Sequence, residues 1–280
     1  MQRLIQFIIR FLGIISPTLG GRFAYYIFFK PFRLTSHPLD LAKKEEGSRV
    51  DFVIAGKKTA AWFWGKGPVI VLVHGWSSKG LHYRKFIEPL VSAGFTVVIP
   101  DLPGHVESEG SSSSVLEFKA NLQVIVEHFN GVYALMGHSL GAMASILFLA
   151  DNEHTVEKLV VANSSIYGET IMNRFIEQIG GNEKIKTALL NRLSKNFNQD
   201  FSYYSTYYRF RDIENPPQMM VIGDERDPEV PVTELHALAE RSNAELLITK
   251  GLGHNGGLKD VAVLEKVVDF LAKKNRDKPG

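Results

Sequence analysis

Cysteine is absent from the 280-residue sequence, which excludes a disulfide framework, a thiolate nucleophile and a zinc site built on cysteine sulfur. Equally missing is an excess of one charge. Lys and Arg number 32 against 30 Asp and Glu, a net charge of +2, too near neutral for nucleic acid to be the main partner. Metal-ligand spacings such as H-E-x-x-H do not occur, and the glycine-rich stretches 75–80 and 251–257 lack the patterns that cradle nucleotide phosphates. Neither a metal nor a cofactor is therefore expected. Repeats are absent, and the one low-complexity tract, Ser111-Ser112-Ser113-Ser114, is expected in a loop leading into a helix. What remains is an ordinary globular composition, 45% hydrophobic and 22% charged, in a length suited to one α/β domain with an insertion.

Acids are missing from the first 39 residues, where Arg3, Arg10, Arg22, Lys30 and Arg33 are the charged side chains. Leu4, Phe7, Ile8, Phe11, Leu12 and Ile15 recur there at helical spacing, with Arg3, Gln6 and Arg10 on the other side. The pattern predicts an amphipathic helix. Its uncharged run, residues 11–21, is broken by Pro17 and Gly20-Gly21 and is too short to span a membrane. Gln6 and Arg10 interrupt the apolar stretch, and no cleavage site of a secretory signal follows. A cytoplasmic location is expected, with residues 1–33 as a point of peripheral membrane contact. Packing of the same stripe on the protein's own surface, or homodimerisation through it, is the competing expectation.

From residue 49 onward, short apolar runs alternate with helical patterns. Strands are predicted at residues 49–54, 59–64, 69–73, 96–100, 132–136, 158–162, 218–222 and 244–249, and helices at 81–92, 115–129, 141–150, 232–241 and 261–273. The run Val69-Ile70-Val71-Leu72-Val73 has no polar alternation, as expected of a parallel strand covered on both faces. The short link 55–58 predicts an antiparallel hairpin at the sheet edge. The alternation lapses over residues 165–217, read as a cap insertion. The expected organisation is an extension at 1–33, core at 34–164, cap at 165–217 and core again at 218–280.

Between a predicted strand and helix lies Gly137-His138-Ser139-Leu140-Gly141, a G-x-S-x-G sequence in the strand-to-helix setting of a nucleophile elbow. Such a serine needs a base and a group to orient that base, in the chain order serine, acid, histidine. His254 follows the last predicted strand, and Asp227 follows the one before it, with Asp224 and Glu225 as competing acids. All three positions fall at the carboxyl ends of strands, where open α/β sheets bind ligands. Oxyanion donors are expected in the backbone N–H groups of Leu140 and of Trp76, the latter in the loop after residues 69–73.

With these residues in place, the sequence resembles the α/β-hydrolase superfamily, in particular its serine esterase and lipase-like members. The resemblance rests on His74-Gly75-Trp76, Asp101-Leu102-Pro103-Gly104-His105, the 137–141 elbow, Asp227-Pro228-Glu229-Val230-Pro231 and Gly253-His254, and covers residues 49–274. It implies an α/β-hydrolase fold, an eight-stranded, mostly parallel sheet with flanking helices and a small helical cap, and Ser139, Asp227 and His254 as a triad. One departure is visible: Val106 stands where relatives often carry a second glycine. A serine at 139 argues against the haloalkane dehalogenases and epoxide hydrolases of this fold, which use aspartate there. The expected reaction is hydrolysis of small-molecule carboxylic esters with short- to medium-chain acyl groups. Substrate contacts are expected at Trp76, His138, Phe175 and Tyr204, and further cap residues, Ile179, Leu189, Leu190, Leu193, Tyr203, Tyr207 and Tyr208, are candidates for an acyl pocket. Thioester, amide or carbon–carbon bond hydrolysis, acyl transfer, and a non-catalytic membrane-associated scaffold are the alternatives. His74 and His105 are explained by the motifs without a metal, and Asn163-Ser164-Ser165 is read as an incidental glycosylation sequon.

Overall fold

A computed structural model describes residues 2–54 and 56–273. Met1, Ala55 in the predicted hairpin link and residues 274–280 at the end of the second core segment lie outside the described residues. The strands are β1 (Ser48–Ile54), β2 (Lys57–Trp64), β3 (Val69–Val73), β4 (Thr96–Pro100), β5 (Ala134–His138), β6 (Lys158–Ala162), β7 (Gln218–Asp224) and β8 (Glu245–Thr249). They form one sheet in the order β1-β2-β4-β3-β5-β6-β7-β8. β1 pairs antiparallel with β2, β2 pairs antiparallel with β4, and all later pairings are parallel. The expected architecture, including its antiparallel edge, is the one observed.

Helices α1 (Gln2–Ile15), α2 (Pro17–Phe28) and α3 (Pro38–Glu45) precede the sheet. Between strands come α4 (Arg84–Ser92), α5 (Val115–His128) and α6 (Leu140–Asp151). The segment joining β6 to β7 holds α7 (Gly168–Gln178), α8 (Glu183–Phe197) and the single turn α9 (Thr206–Arg209). After β7 lie α10 (Val232–Ser242), α11 (Gly253–Gly256) and α12 (Val261–Ala272). No described helix is long and apolar enough to cross a membrane.

Alternate side chains of β3 point to opposite faces, as the pleat requires. Ile70 and Leu72 join a core with Phe86, Ile87 and Leu90 of α4 and Val263 and Val267 of α12. Val71 and Val73 join the opposite core with Phe118, Leu122 and Ile125 of α5, the wholly buried stretch 141–149 of α6, and Leu235 of α10. A third cluster lies apart from both. It is made by Ile9 of α1 and Ala24 of α2 against Met172, Ile176, Ile179, Ile185, Leu189 and Leu193 on and between α7 and α8. Gly21 permits this docking, because a Cβ there would stand 2.6 Å from Cβ of Ala188.

Local differences from expectation have local causes. β5 begins two residues later than predicted, because its ladder with β6 runs from Ala134 opposite Lys158 to His138 opposite Ala162. The helix expected at 81–92 opens as a 3₁₀ turn, Gly80–Tyr83, before α4. α3 forms in a stretch read only as polar: His37 accepts from Leu39 N–H, Asp40 accepts from His37 N–H, and Pro38 opens the helix.

Candidate active site

Ser139 joins β5 to α6 with φ +52° and ψ −122°, a sparsely populated conformation that costs on the order of 1–3 kcal/mol. Packing of the flanking glycines enforces it. A Cβ at Gly137 would meet Ala142 Cα at 2.3 Å, and one at Gly141 would meet the Val73 carbonyl oxygen at 2.2 Å. The Ser139 N–H donates to Ala162 O at 2.9 Å, and its carbonyl accepts the Ser164 hydroxyl at 2.9 Å. The serine is thus clamped to β6 while its side chain faces the cavity described below.

Asp227 and His254 meet across the turns after β7 and β8. His254 Nδ1 lies 2.9 Å from Asp227 Oδ2, which also accepts the Asn163 side-chain amide at 2.8 Å. Oδ1 accepts the N–H groups of Glu229 at 2.7 Å and Val230 at 3.2 Å. Burial alone would raise the Asp227 carboxyl; the hydrogen bonds from His254 and Asn163 outweigh it and hold the group below its usual range. Asp224 takes another place. Its oxygens accept from Thr249 Oγ1 at 2.8 Å and from the N–H groups of Arg226, Gly251 and Leu252. Against the raising effect of burial, the Leu252 N–H, the Thr249 hydroxyl and further N–H donors bring its carboxyl to about 2. Asp224 therefore fastens the loop that presents His254, and Asp227 touches the imidazole.

Asn163, missed as a site residue in the sequence, has φ +47° at the end of β6 and is nearly fully buried. Its position directly after a predicted parallel strand is the signal that could have found it. A second neighbour is Glu229, whose Oε2 stands 3.8 Å from His254 Nε2 and whose other oxygen pairs with Arg174 at 3.6 Å. Arg174 of α7 also donates to Pro228 O.

The loop after β3 carries Trp76 and is braced by two neutral imidazoles. His74 donates from Nδ1 to Gly75 O at 2.8 Å and accepts Leu102 N–H on Nε2 at 3.0 Å. His105 donates from Nδ1 to Pro103 O at 2.9 Å and accepts Ser77 N–H on Nε2 at 3.1 Å. Burial pushes His74 well below the usual histidine range and His105 to about 4. With both nitrogens of each ring engaged by backbone, these histidines serve the loop. Val106 has φ +40°, so the turn keeps the backbone a glycine would favour although valine occupies it.

His138 departs from expectation. Its ring is 2% exposed and absent from the cavity wall. It sits 4.8 Å from the His254 ring, centroid to centroid, with Nε2 donating to the His254 carbonyl at 2.7 Å. Burial lowers it to about 3. Because β5 continues through residue 138, this side chain points into the sheet's flank and supports His254 from beneath.

A cavity of about 560 Å³ opens over Ser139 and His254, a size suited to a small-molecule ligand. Trp76, Leu140, Phe175 and Tyr204 line it, as do Ile179 and Leu193. Leu189, also a candidate for this wall, belongs instead to the third core. The larger surprise is the N-terminal segment: Gln2 and Ile5 of α1, Ile27 and Phe28 of α2, and Phe29, Lys30 and Phe32 after it all face the cavity. This segment is stitched to the site. Phe32 N–H donates to Ser77 Oγ at 2.9 Å, Ser113 N–H to Phe29 O at 2.8 Å, and Arg33 to the carbonyls of Ser108 and Gly110. No spacing in the sequence points to it, since its partners lie 45 or more residues away.

Comparison with known proteins agrees with this architecture. A family model for the α/β hydrolase fold matches residues 68–182, and one for TAP-like proteins matches residues 204–280. The magnesium-chelatase 30 kDa subunit of Rhodobacter capsulatus is 33% identical over 104 residues, a match spanning 36% of each chain, about a third of that relative's length. The pimeloyl-[acyl-carrier protein] methyl ester esterase of Vibrio vulnificus is 26% identical over 183 residues, 63% of this chain and 69% of that one. Among solved structures, a Pyrococcus furiosus esterase shares the fold with a TM-score of 0.64 at 22% identity, covering 87% of this chain and 96% of its own. From its sheet order, its strand-ending loops and these matches, the chain has the α/β-hydrolase fold and is similar to esterase-like hydrolases of that fold.

Proposed function

We propose that this hydrolase cleaves carboxylic esters through an acyl-enzyme on Ser139. The carrying observation is the 2.9 Å contact between His254 Nδ1 and Asp227, made beside the strained Ser139 in the wall of one cavity. With Nδ1–H committed to Asp227, His254 Nε2 is left as the base. Ser139 Oγ attacks the ester carbonyl carbon as its proton passes to Nε2, and the oxyanion is met by the N–H groups of Trp76 and Leu140. Leu140 N–H suits this role because the first amides of a helix have no partner within it. Collapse of the tetrahedral species expels the alcohol, which takes the proton from Nε2. Water, deprotonated by the same nitrogen, then releases the acid and regenerates Ser139.

The apolar wall of Phe28, Phe29, Phe175, Ile179 and Leu193 supports acyl rather than highly polar substrates, in the short- to medium-chain range. The test is hydrolysis of p-nitrophenyl esters from acetate to palmitate by wild type and Ser139→Ala. Turnover is expected on short and medium chains, with kcat lowered on the order of ten-thousand-fold in the variant. Equal turnover in the variant would overturn the assignment, and turnover confined to thioesters or amides would move it to those substrates.

A further inference from the structure

The apolar stripe of α1 is turned outward. Leu4 is 61% exposed, Phe7 67%, Phe11 54% and Ile14 85%, while Ile9 on the opposite side is fully buried on α7 and α8. At about 100° per residue, Leu4, Phe7, Phe11, Ile14 and Ile15 form one strip, with Arg3 and Arg10 along its edge. α2 continues the surface with Leu19, Arg22 and Tyr26, three and four residues apart. Of the fourteen large apolar side chains exposed among the described residues, eight lie within residues 4–32. Such clustering marks an interaction site rather than scattered surface.

The charges on this face identify its partner. Lys30 bonds Tyr26 and Arg33 bonds backbone carbonyls, but Arg3, Arg10 and Arg22 are exposed and form no ion pair among the described residues. An outward strip of Phe, Leu and Ile edged by unpaired guanidinium groups matches the interface of an anionic bilayer, where rings enter the acyl boundary and cations meet phosphates. A second copy of the chain would bring like charges together along the same strip. At 14 residues, about 21 Å, α1 is too short to span the bilayer and would lie in its plane.

We propose that the outward face of α1 and α2 is an interfacial anchor that seats this protein on an anionic lipid surface. The same two helices line the cavity with Gln2, Ile5, Ile27 and Phe28, so anchoring brings the cavity wall to the surface in which apolar acyl esters concentrate. That consequence rests on the ester-hydrolase reading; the anchoring itself does not.

The test is co-sedimentation of the full chain with vesicles of phosphatidylcholine alone or mixed with phosphatidylglycerol, alongside Phe7→Glu/Phe11→Glu, with p-nitrophenyl butyrate hydrolysis in lipid-free buffer as a control for folding. Neither residue lines the cavity. Wild type is expected to pellet with the anionic vesicles, and the double variant to partition at least about tenfold less, from the loss of two buried rings. Arg3→Gln/Arg10→Gln/Arg22→Gln should weaken binding on anionic vesicles and leave the residual binding to phosphatidylcholine unchanged. Wild type remaining in the supernatant, or a double variant that binds as well, would overturn the anchor. So would a lipid-free dimer that the double variant dissociates while vesicles bind neither protein, which would give the face to a second copy. Vesicle binding without ester turnover would retain the anchor and remove the ester reading.

Discussion

On the floor of the cavity, Ser139 and His254, with Asp227 behind the imidazole, stand on turns that follow parallel strands, whereas the roof is made of α1, α2, α7 and α8, which share a core of their own. The floor is fixed by backbone. A Cβ added at Gly137 or Gly141 would stand little over 2 Å from neighbouring main chain, and Asp224, His74 and His105 spend their side chains on loop amides. The roof is fixed by interdigitated side chains from segments about 170 residues apart, and its polar ties are few, such as Gln6 donating to Gln178 O at 3.0 Å. A backbone-held floor beneath a separately cored wall predicts that the roof can be altered with a smaller effect on the floor than the reverse.

The sharpest way to break this comparison is a pair of glycine substitutions. Gly141→Ala drives a Cβ into the Val73 and His74 carbonyls at 2.2 and 2.5 Å, and neither strand end can retreat, so a loss of about 3 kcal/mol or more in chemical unfolding is expected. Gly21→Ala meets Ala188 at 2.6 Å, but α2 can lift. About 1–2 kcal/mol is expected there, read as faster hydrogen exchange confined to α1 and α2, with hydrolysis of short esters kept and discrimination between acyl chains reduced. A global destabilisation as large as that of Gly141→Ala would show that floor and roof are one unit.

Acid should weaken the floor selectively. No histidine occurs in residues 2–33 or 163–217, whereas burial holds His74 well below its ordinary range, His105 near 4 and His138 near 3 on the floor. The unfolded chain takes up protons near the ordinary value of about 6.5 that the folded floor refuses. Stability contributed by these groups is therefore complete above that value and lost progressively as pH falls toward 4. Melting temperatures recorded from pH 7.5 down to 4.5 should decline steadily below 6.5; a flat profile would contradict the buried neutral rings.

The smallest effect is expected at Val106. Its φ of +40° costs a branched residue about 1–2 kcal/mol, part of which Val106→Gly returns to greater freedom of the unfolded chain. A net gain of about 0.5 kcal/mol in unfolding free energy, with unchanged ester kinetics, is the outcome to measure. A loss would mean that packing of the valine side chain outweighs the backbone strain.

Much of the floor was legible in the sequence because its determinants are local. Val69-Ile70-Val71-Leu72-Val73 reads as a strand covered on both faces, Gly137 to Gly141 as a strand-to-helix turn, and the candidate residues Asp227 and His254 each follow a strand within a few residues. The sequence favours Asp227 over Asp224 only through the 227–231 motif, since the two lie three residues apart; the contact with the His254 ring is what separates them in the structure. His138 does not take the substrate contact expected of it, because its buried ring is spent on the His254 carbonyl and does not line the cavity, a contact across 116 residues that no local pattern shows.

By itself the sequence determined the alternation of elements, the eight-stranded sheet with its antiparallel edge, the elbow and the amphipathic character of α1, because hydrophobic period, glycine placement and motif order act over a few neighbouring residues. Only the tertiary structure decided which face of α1 is buried, that residues 2–32 complete the cavity wall, and that Asn163 holds Asp227. Those outcomes depend on contacts between residues tens to more than a hundred positions apart, and amphipathicity gives a helix two distinct faces without stating which will meet the protein.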